Sequence, residues 1–266
     1  YSSAASDVYK RQFQSSISHM SEAKTLDPQK YGEQVNVLTV LSYHKLQDVN
    51  KLKETLETLQ KENPAAVSRV PDVIPAWLGL QAYGMKDLET ADKYMTWATQ
   101  NDQLQNVKKV IWRNLAKVRL ALKKYDRALV ASNNFLKVED QPYRRADGML
   151  DKASILLGLG KYAEARKTAE EALALGVEGP LMASLKIVLG DISYAEKKFD
   201  EAAKHYGVTA ELFVNDAELK PKALFKAAEA LDKAGRKSEA SQYRARLQKE
   251  FPDWKQEGES LPPDAR

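Results

Sequence analysis

Small residues recur along this chain at an interval of about 37 residues, and this regularity restricts the possible folds more than any other feature. Three successive members each follow an aromatic residue by three positions, in the segments KYDRALVAS, KYAEARKTA and KFDEAAKHY. The members of this alanine series are Leu52, Ala91, Ala128, Ala165, Ala202 and Ala240. A unit of this length cannot bury an apolar face alone, so neighbouring units must stack on one another.

A second small residue lies twelve positions before most members of the alanine series. These residues are Gly79, Ala116, Ala153, Gly190 and Ala228, with Val40 as the exception. Small side chains at both positions allow two helices to cross closely. Each unit is therefore predicted to be an antiparallel pair of helices. The larger residue three positions before the alanine is expected to fill the gap near the turn between them.

Turn-forming residues separate the two helices of each predicted pair. The predicted turns are Leu46–Asp48, Lys86–Asp87, Lys123–Lys124, Gly160–Lys161, Lys197–Lys198 and Gly235–Arg236. Prolines such as Pro64, Pro142 and Pro221 fall between successive pairs, where they end one helix or begin the next. The sequence thus predicts six hairpins, over residues 30–63, 72–102, 107–138, 145–175, 182–213 and 220–250.

These residues resemble the tetratricopeptide repeat family. The first helices contain Trp112-x2-Leu115-Ala116, Leu78-Gly79 and Leu189-Gly190, and the second helices contain Ala165-x6-Ala172, Ala91-x6-Ala98 and Ala202-x3-Tyr206. The resemblance extends from about Phe13 to Trp254 and implies an all-α, right-handed α-solenoid of stacked antiparallel hairpins, about six and a half repeats long. Arg119 and Lys152 stand where the family has Tyr and Leu, so the packing around them is expected to differ.

The two ends of the chain are predicted to lie outside the repeat domain of residues 13–254. Residues 2–12 read SSAASDVYKRQ, and their reverse translation matches a transposon-type sequencing adaptor, so residues 1–12 are predicted to be a non-native tail. The segment from Phe13 to Thr25 then resembles the second helix of a hairpin that has lost its first helix, which implies a truncated bacterial protein. Residues 255–266 are predicted to form a polar tail.

No residue pattern in the sequence indicates catalysis, a metal site or a cofactor. The chain has no cysteine and three histidines, His19, His44 and His205, which fall on different predicted helices. Gly158-Leu159-Gly160 follows no predicted strand and is interpreted as an interhelix turn rather than a dinucleotide loop. We therefore predict that the protein is not an enzyme, and no transmembrane segment is expected at a mean hydropathy of −0.53.

A basic segment in the middle of the chain marks the predicted partner site. Eight cations and one acid lie between Lys108 and Arg127, although the whole chain has a net charge of only +4. In the family that the sequence resembles, one stripe of each first helix faces a concave groove. The corresponding groove residues here are Tyr83, Arg113, Lys117, Leu120, Leu157, Asp191 and Tyr194. The basic centre is expected to favour a segment that carries acidic and apolar residues.

The function predicted from these observations is a non-enzymatic scaffold that binds a peptide or protein segment in the groove. One alternative is binding of nucleic acid through residues 108–127, although Asp191 interrupts a continuous basic stripe. Another is a structural subunit that associates with itself through the truncated end. The ending Leu247-x3-Phe251-Pro252 is similar to that of bacterial cell-envelope repeat proteins, which favours the envelope over the cytoplasm without fixing the compartment.

Overall fold

The computed structural model describes residues 2–100, 105–212 and 217–255, and all of the regular structure in these ranges is helical. The chain divides into two compact units, Tyr1–Leu122 and Lys123–Arg266. The first unit contains α1 (Ser2–Leu26), α2 (Pro28–Leu46), α3 (Val49–Glu62), a 3-10 helix (Pro64–Arg69), α4 (Val73–Gly84), α5 (Leu88–Ala98) and α6 (Gln105–Ala121). The second unit contains α7 (Tyr125–Val138), α8 (Pro142–Gly158), α9 (Tyr162–Ala174), α10 (Gly179–Ala195), α11 (Phe199–Leu212), α12 (Leu219–Lys233) and α13 (Lys237–Glu250).

Helices pack against their neighbours in sequence within each unit, and the first helices of successive hairpins also touch. In the second unit α8 contacts α9 and α10, and α10 contacts α11 and α12. In the first unit α4 packs against both α5 and α6. This pattern of stacked hairpins within each unit confirms the predicted all-α solenoid, and the observed helix bounds lie within a few residues of the predicted ones. Among the described residues, no helix combines the length and the apolar character needed to cross a membrane.

The alanine series forms the centre of the helix contacts, as predicted. All six members, from Leu52 to Ala240, have a solvent exposure of 0%. The small residues twelve positions earlier are buried as well. At Gly79 an added Cβ would lie 2.9 Å from the backbone nitrogen of Met95, so α4 and α5 approach too closely for any larger residue.

The interhelix turns share one backbone conformation. One or two residues after each first helix, one residue has a left-handed φ, and these residues are Gln47, Lys86, Lys123, Gly160, Lys197 and Gly235. In the hairpins that begin with α10 and α12, the next backbone N–H donates back into the helix, from Lys198 to Ser193 and from Arg236 to Leu231. This closure satisfies carbonyl groups that a helix end would leave without a donor. The predicted turns are therefore confirmed.

Two parts of the first unit differ from the expectation. Helix α1 begins at Ser2 instead of Phe13, so the adaptor-like residues continue the helix, although the described side chains from Asp7 to Gln12 are exposed. The 3-10 helix after α3 was not predicted. It adds residues between two hairpins and buries Ala66 beside Leu52 and Leu56 in the core of this unit.

The last described residues pack against the first half of α12. The rings of Phe225 and Trp254 lie 5.6 Å apart, and Phe251 packs near Leu224. Buried Lys220 forms an ion pair with Glu250, which joins the start of α12 to the end of α13. Most of the predicted polar tail lies outside the described residues.

Candidate functional site

The predicted groove residues fall in both units, with Tyr83, Arg113, Lys117 and Leu120 in the first. Tyr83 lies near the end of α4, and the other three lie on α6, which packs against α4. All four side chains are half-buried. Arg113 and Lys117 already have interaction partners within the chain.

One cation of the basic segment, Arg119, is buried in the core. Arg119 is only 7% exposed, and its Nε lies 2.7 Å from Oδ1 of Asp92. Its second guanidinium nitrogen donates to the hydroxyl of Thr96 at 2.7 Å. Arg119 therefore joins α6 to α5 and contributes little to any surface for a partner. Packing does differ from the family pattern here, and a buried ion pair takes the place of the usual tyrosine.

The structure brings the other three predicted residues together at one depression in the second unit. Leu157 comes from α8, and Asp191 and Tyr194 come from α10. The depression is open, has a volume of about 450 Å³, and lies where the first helices of three hairpins meet. The remaining lining residues are Ala195, Tyr206, Lys226 and Glu229.

A glycine allows Tyr206 to reach this surface from the second helix of its hairpin. A Cβ added to Gly190 would lie 2.4 Å from Cε1 of Tyr206, so the ring of Tyr206 lies directly against the backbone of α10. The ring is buried at 2% exposure, and its hydroxyl donates a hydrogen bond of 2.6 Å to Asp191. The floor of the depression is thus fixed by a residue of α11.

Asp191 joins three helices at this floor. Its Oδ1 accepts the bond from Tyr206 and a second bond of 2.7 Å from Nζ of Lys226 on α12. The Lys226 ammonium also lies 5.7 Å from the centre of the Tyr206 ring. Burial, and then the charge of Asp191, raise the pKa of the Tyr206 phenol, so this hydroxyl remains a donor at neutral pH.

The open side of the depression combines an aromatic ring with a carboxylate. Tyr194 is half-buried and packs edge-to-face on Phe199, with ring centres 5.2 Å apart. Glu229 is exposed on α12. Burial raises the pKa of Tyr194, and the charge of Glu229 adds to this shift, which indicates that the carboxylate lies near the phenol.

No site role was predicted from the sequence for Tyr206 or Lys226. The sequence nevertheless contained an indication for each of these residues. Tyr206 occupies an aromatic position of the repeat pattern, and Lys226 lies on the first helix of the last hairpin. The repeat pattern does not specify which side chains converge, because this depends on the glycine beside Tyr206.

The histidines and acidic residues of the described chain form no metal site. The described residues contain no group of three or more histidine or acidic side chains that could hold an ion. His44 packs edge-to-face on Trp77, and burial lowers its pKa. His205 is partly buried on α11, and burial lowers its pKa as well.

Comparison with protein families finds a repeat match over part of the chain. Residues 150–213, which include Leu157, Asp191, Tyr194 and Tyr206, match a family model described as tetratricopeptide repeat. No curated protein matches the sequence.

Solved structures share the fold at low sequence identity. The apo form of RapI is 15% identical with a TM-score of 0.58, covering 94% of this chain and 77% of that one. A tetratricopeptide repeat protein from Parabacteroides merdae is 14% identical with a TM-score of 0.57, covering 82% and 79%. PilF from Pseudomonas aeruginosa is 17% identical with a TM-score of 0.52, covering 84% and 93%. Residues 150–213 are thus similar to a tetratricopeptide repeat, and most of the chain shares the helical repeat fold of these structures.

Proposed function

We propose that this protein is a non-enzymatic scaffold that binds a peptide or protein segment along its first helices. The repeat type supports a role in protein–protein interaction. The observation that carries the finer proposal is the depression in the second unit, where Leu157, Tyr194 and Tyr206 converge with charged groups. Partly buried aromatic residues in a concave surface are the side chains that contribute most to binding a protein segment.

The depression is suited to one or a few side chains and not to an enclosed small molecule. Its volume of about 450 Å³ is open to solvent, and its charged groups lie at the surface. A segment bound here would make only a few strong contacts. Part of their binding free energy would be offset by the entropy cost of ordering the segment. We therefore expect a dissociation constant of roughly micromolar magnitude.

The basic stripe of the first unit is a second candidate binding surface, which we propose separately. Arg113 and Lys117 lie one turn apart on α6, beside Leu120. We propose that this stripe attracts an acidic and apolar segment. Nucleic acid has less support as a partner, because Arg119 belongs to the core and the depression of the second unit contains two carboxylates.

Selection of short random peptides displayed on phage against the full chain tests this function. Peptides selected on the wild type should bind Tyr194→Ala at least about tenfold more weakly, because the substitution removes the ring that borders the depression. Tyr143→Ala is the matched control, since Tyr143 is an exposed tyrosine of the same unit that does not line the depression. Unchanged binding to Tyr194→Ala, with circular dichroism showing an intact fold, would refute the role of the depression.

A charge reversal tests the stripe of the first unit separately. Arg113→Glu combined with Lys117→Glu should weaken the binding of acidic peptides, and the effect should shrink at high salt, where screening shortens to about 3 Å. The fold of this variant must be verified, because both cations have partners in the chain. If short RNA bound to the wild type and was lost in this variant, the nucleic-acid function would replace the proposed one.

A further inference from the structure

The two charges at the floor of the depression in the second unit balance one another. Asp191 and Lys226 form an ion pair in which Nζ lies 2.7 Å from Oδ1. The pair places a hydrogen-bond acceptor beside a hydrogen-bond donor without a net charge. We propose that this depression, as part of the scaffold's binding surface, accepts the carboxamide side chain of a glutamine or asparagine from the bound segment. The inference rests on the proposed function, and it adds the chemical class of the residue that is recognised.

Asp191 supplies the acceptor. Both of its hydrogen bonds within the described chain, from Tyr206 and from Lys226, end on Oδ1. Its second oxygen, Oδ2, can therefore accept a further bond. The Tyr206 hydroxyl holds the carboxylate in place from the next helix, so little entropy is lost when a partner binds to it. The Asp191 side chain is 25% exposed and lines the depression, which gives an incoming group access to it.

The ammonium of Lys226 supplies the donor. An ammonium has three N–H groups, and among the described residues only Asp191 accepts a hydrogen bond from this one. A second N–H can point towards the Tyr206 ring, whose centre lies 5.7 Å from Nζ. The Lys226 side chain is 28% exposed and lines the same depression as Asp191. The third N–H can therefore donate to a carbonyl oxygen that enters beside Asp191.

A carboxamide matches this pair better than the other polar groups of a protein segment. Its oxygen and its N–H share one carbon and can point in the same direction, the oxygen towards Lys226 and the N–H towards Asp191. A trans peptide group directs its C=O and N–H to opposite sides, so a single one meets only one member of the pair. A charged side chain would be attracted by one member and repelled by the other, which leaves little to offset its lost hydration.

The apolar part of the lining suits the methylene stem of a glutamine or asparagine. Leu157 on α8 and Tyr194 on α10 are half-buried and border the depression. They can pack against the stem while the carboxamide reaches the ion pair below. Glu229 also lines the depression, but it has an interaction within the chain and is not needed for this recognition.

The experiment uses peptides selected by phage display on the full wild-type chain and retained because they bind Tyr194→Ala more weakly. These peptides should share a glutamine or asparagine at one position. Synthetic copies replace this residue by norleucine, or by glutamate or aspartate, which keep its shape but carry a carboxylate. Each replacement should weaken binding to the wild type about tenfold, because hydrogen bonds to charged groups are lost.

Asp191→Asn should reverse the preference between the carboxamide and carboxylate copies. The amide oxygen of the variant can still accept from Tyr206 and Lys226, and its NH2 group takes the place of Oδ2 and donates where the wild type accepts. The variant should therefore bind the carboxylate copy at least as tightly as the carboxamide parent. Circular dichroism verifies its fold. Glu170→Gln removes an exposed carboxylate on α9 outside the depression, and this control should leave every affinity within about twofold.

The alternative outcomes keep the two proposals distinguishable. Peptides that depend on Tyr194 but share no carboxamide, or that bind equally well after its replacement, would overturn the inference and leave the scaffold function standing. Equal weakening of all copies by Asp191→Asn would indicate a structural role of Asp191 and would also overturn it. If no selected peptide depended on Tyr194, the depression would not be a binding site and both proposals for it would fail.

Discussion

Lysine occupies the left-handed turn position in three hairpins, at Lys86, Lys123 and Lys197. This conformation brings Cβ close to the carbonyl oxygen and costs about 1–2 kcal/mol for an ordinary residue. Gly160 and Gly235 occupy the same position in two other hairpins. The packing of the two helices therefore determines the turn conformation. The lysines adopt this conformation despite its steric strain.

Exchange of the two residue types should shift stability in opposite directions. Lys197→Gly should raise the free energy of unfolding by about 0.5–1 kcal/mol, because relief of the left-handed strain exceeds the entropy cost of glycine. Gly160→Lys should lower it by a similar amount. Thermal melts followed by circular dichroism measure both. A Lys197→Gly variant less stable than the wild type would show that the lysine side chain contributes more than the strain costs.

Ala202 tests the close helix contact at a single residue. It is completely buried among Ile187, Tyr206 and Ala227, so Ala202→Leu should overpack the contact and cost about 1–3 kcal/mol. Lys204→Leu, at an exposed position of the same helix, should stay within about 0.5 kcal/mol. Denaturant melts measure both changes. Equal effects of the two substitutions would contradict the role of the alanine series.

At the scale of helices, buried and half-buried ion pairs connect neighbouring helices. The repeat pattern places these helices side by side but does not specify the ion pairs. Arg119 pairs with Asp92 between α6 and α5. Arg166 of α9 donates to Glu196, at the end of α10, and to Glu201 of α11, each at 2.7 Å. The side chain of Glu196 is only 21% exposed, and it holds this contact.

Removal of one partner of the Arg119 pair should destabilise the first unit strongly. Arg119→Met leaves the carboxylate of Asp92 buried without its cation, and we expect a loss of about 3–5 kcal/mol. Combining it with Asp92→Leu should restore most of the loss, because neither charge then remains in the core. Urea unfolding followed by the fluorescence of Trp77 and Trp97 measures this unit. A double variant no better than the single one would contradict the argument.

The Arg166 contact should make stability depend on acid pH. A hydrogen bond from Arg166 holds the pKa of Glu196 below its ordinary value, and Lys198 adds to the shift. Since the unfolded state then binds the proton more readily, this contribution is present above the ordinary pKa and is lost as pH falls through the lowered one. Between about pH 5 and pH 3, Glu196→Gln should lose less stability than the wild type. Glu170→Gln should follow the wild-type curve.

At the scale of the whole molecule, the sequence predicts the structural features that recur in every repeat. It does not predict the features that occur in a single repeat. The hairpin bounds and turns followed from the spacing of small residues, because close helix contacts tolerate no others. Among the described residues the 3-10 helix at Pro64–Arg69 has no counterpart in the other repeats, so no period could indicate it. Three residues predicted to face a groove, Leu157, Asp191 and Tyr194, line the depression. Its floor depends on hydrogen bonds between three helices, and a single sequence does not specify them.

The first residues of the chain provide the last test, because the helix continues through a segment that resembles no repeat. The described side chains from Asp7 to Gln12 are exposed, and the ring contact of Tyr9 with Phe13, at 4.7 Å, lies within the same helix. A short exposed helical extension without tertiary packing adds little stability in water. We therefore expect a chain that begins at Phe13 to melt within about 1 °C of the full chain.

Calorimetry or circular dichroism measures this difference, and the opposite end supplies the control. Trp254→Ala removes the ring that packs on Phe225 and should lower the melting temperature measurably. A drop of about 5 °C on removal of residues 1–12 would correspond to roughly 1 kcal/mol or more. That result would mean that the adaptor-like residues stabilise α1 against α2, and the repeat domain would then have to include them.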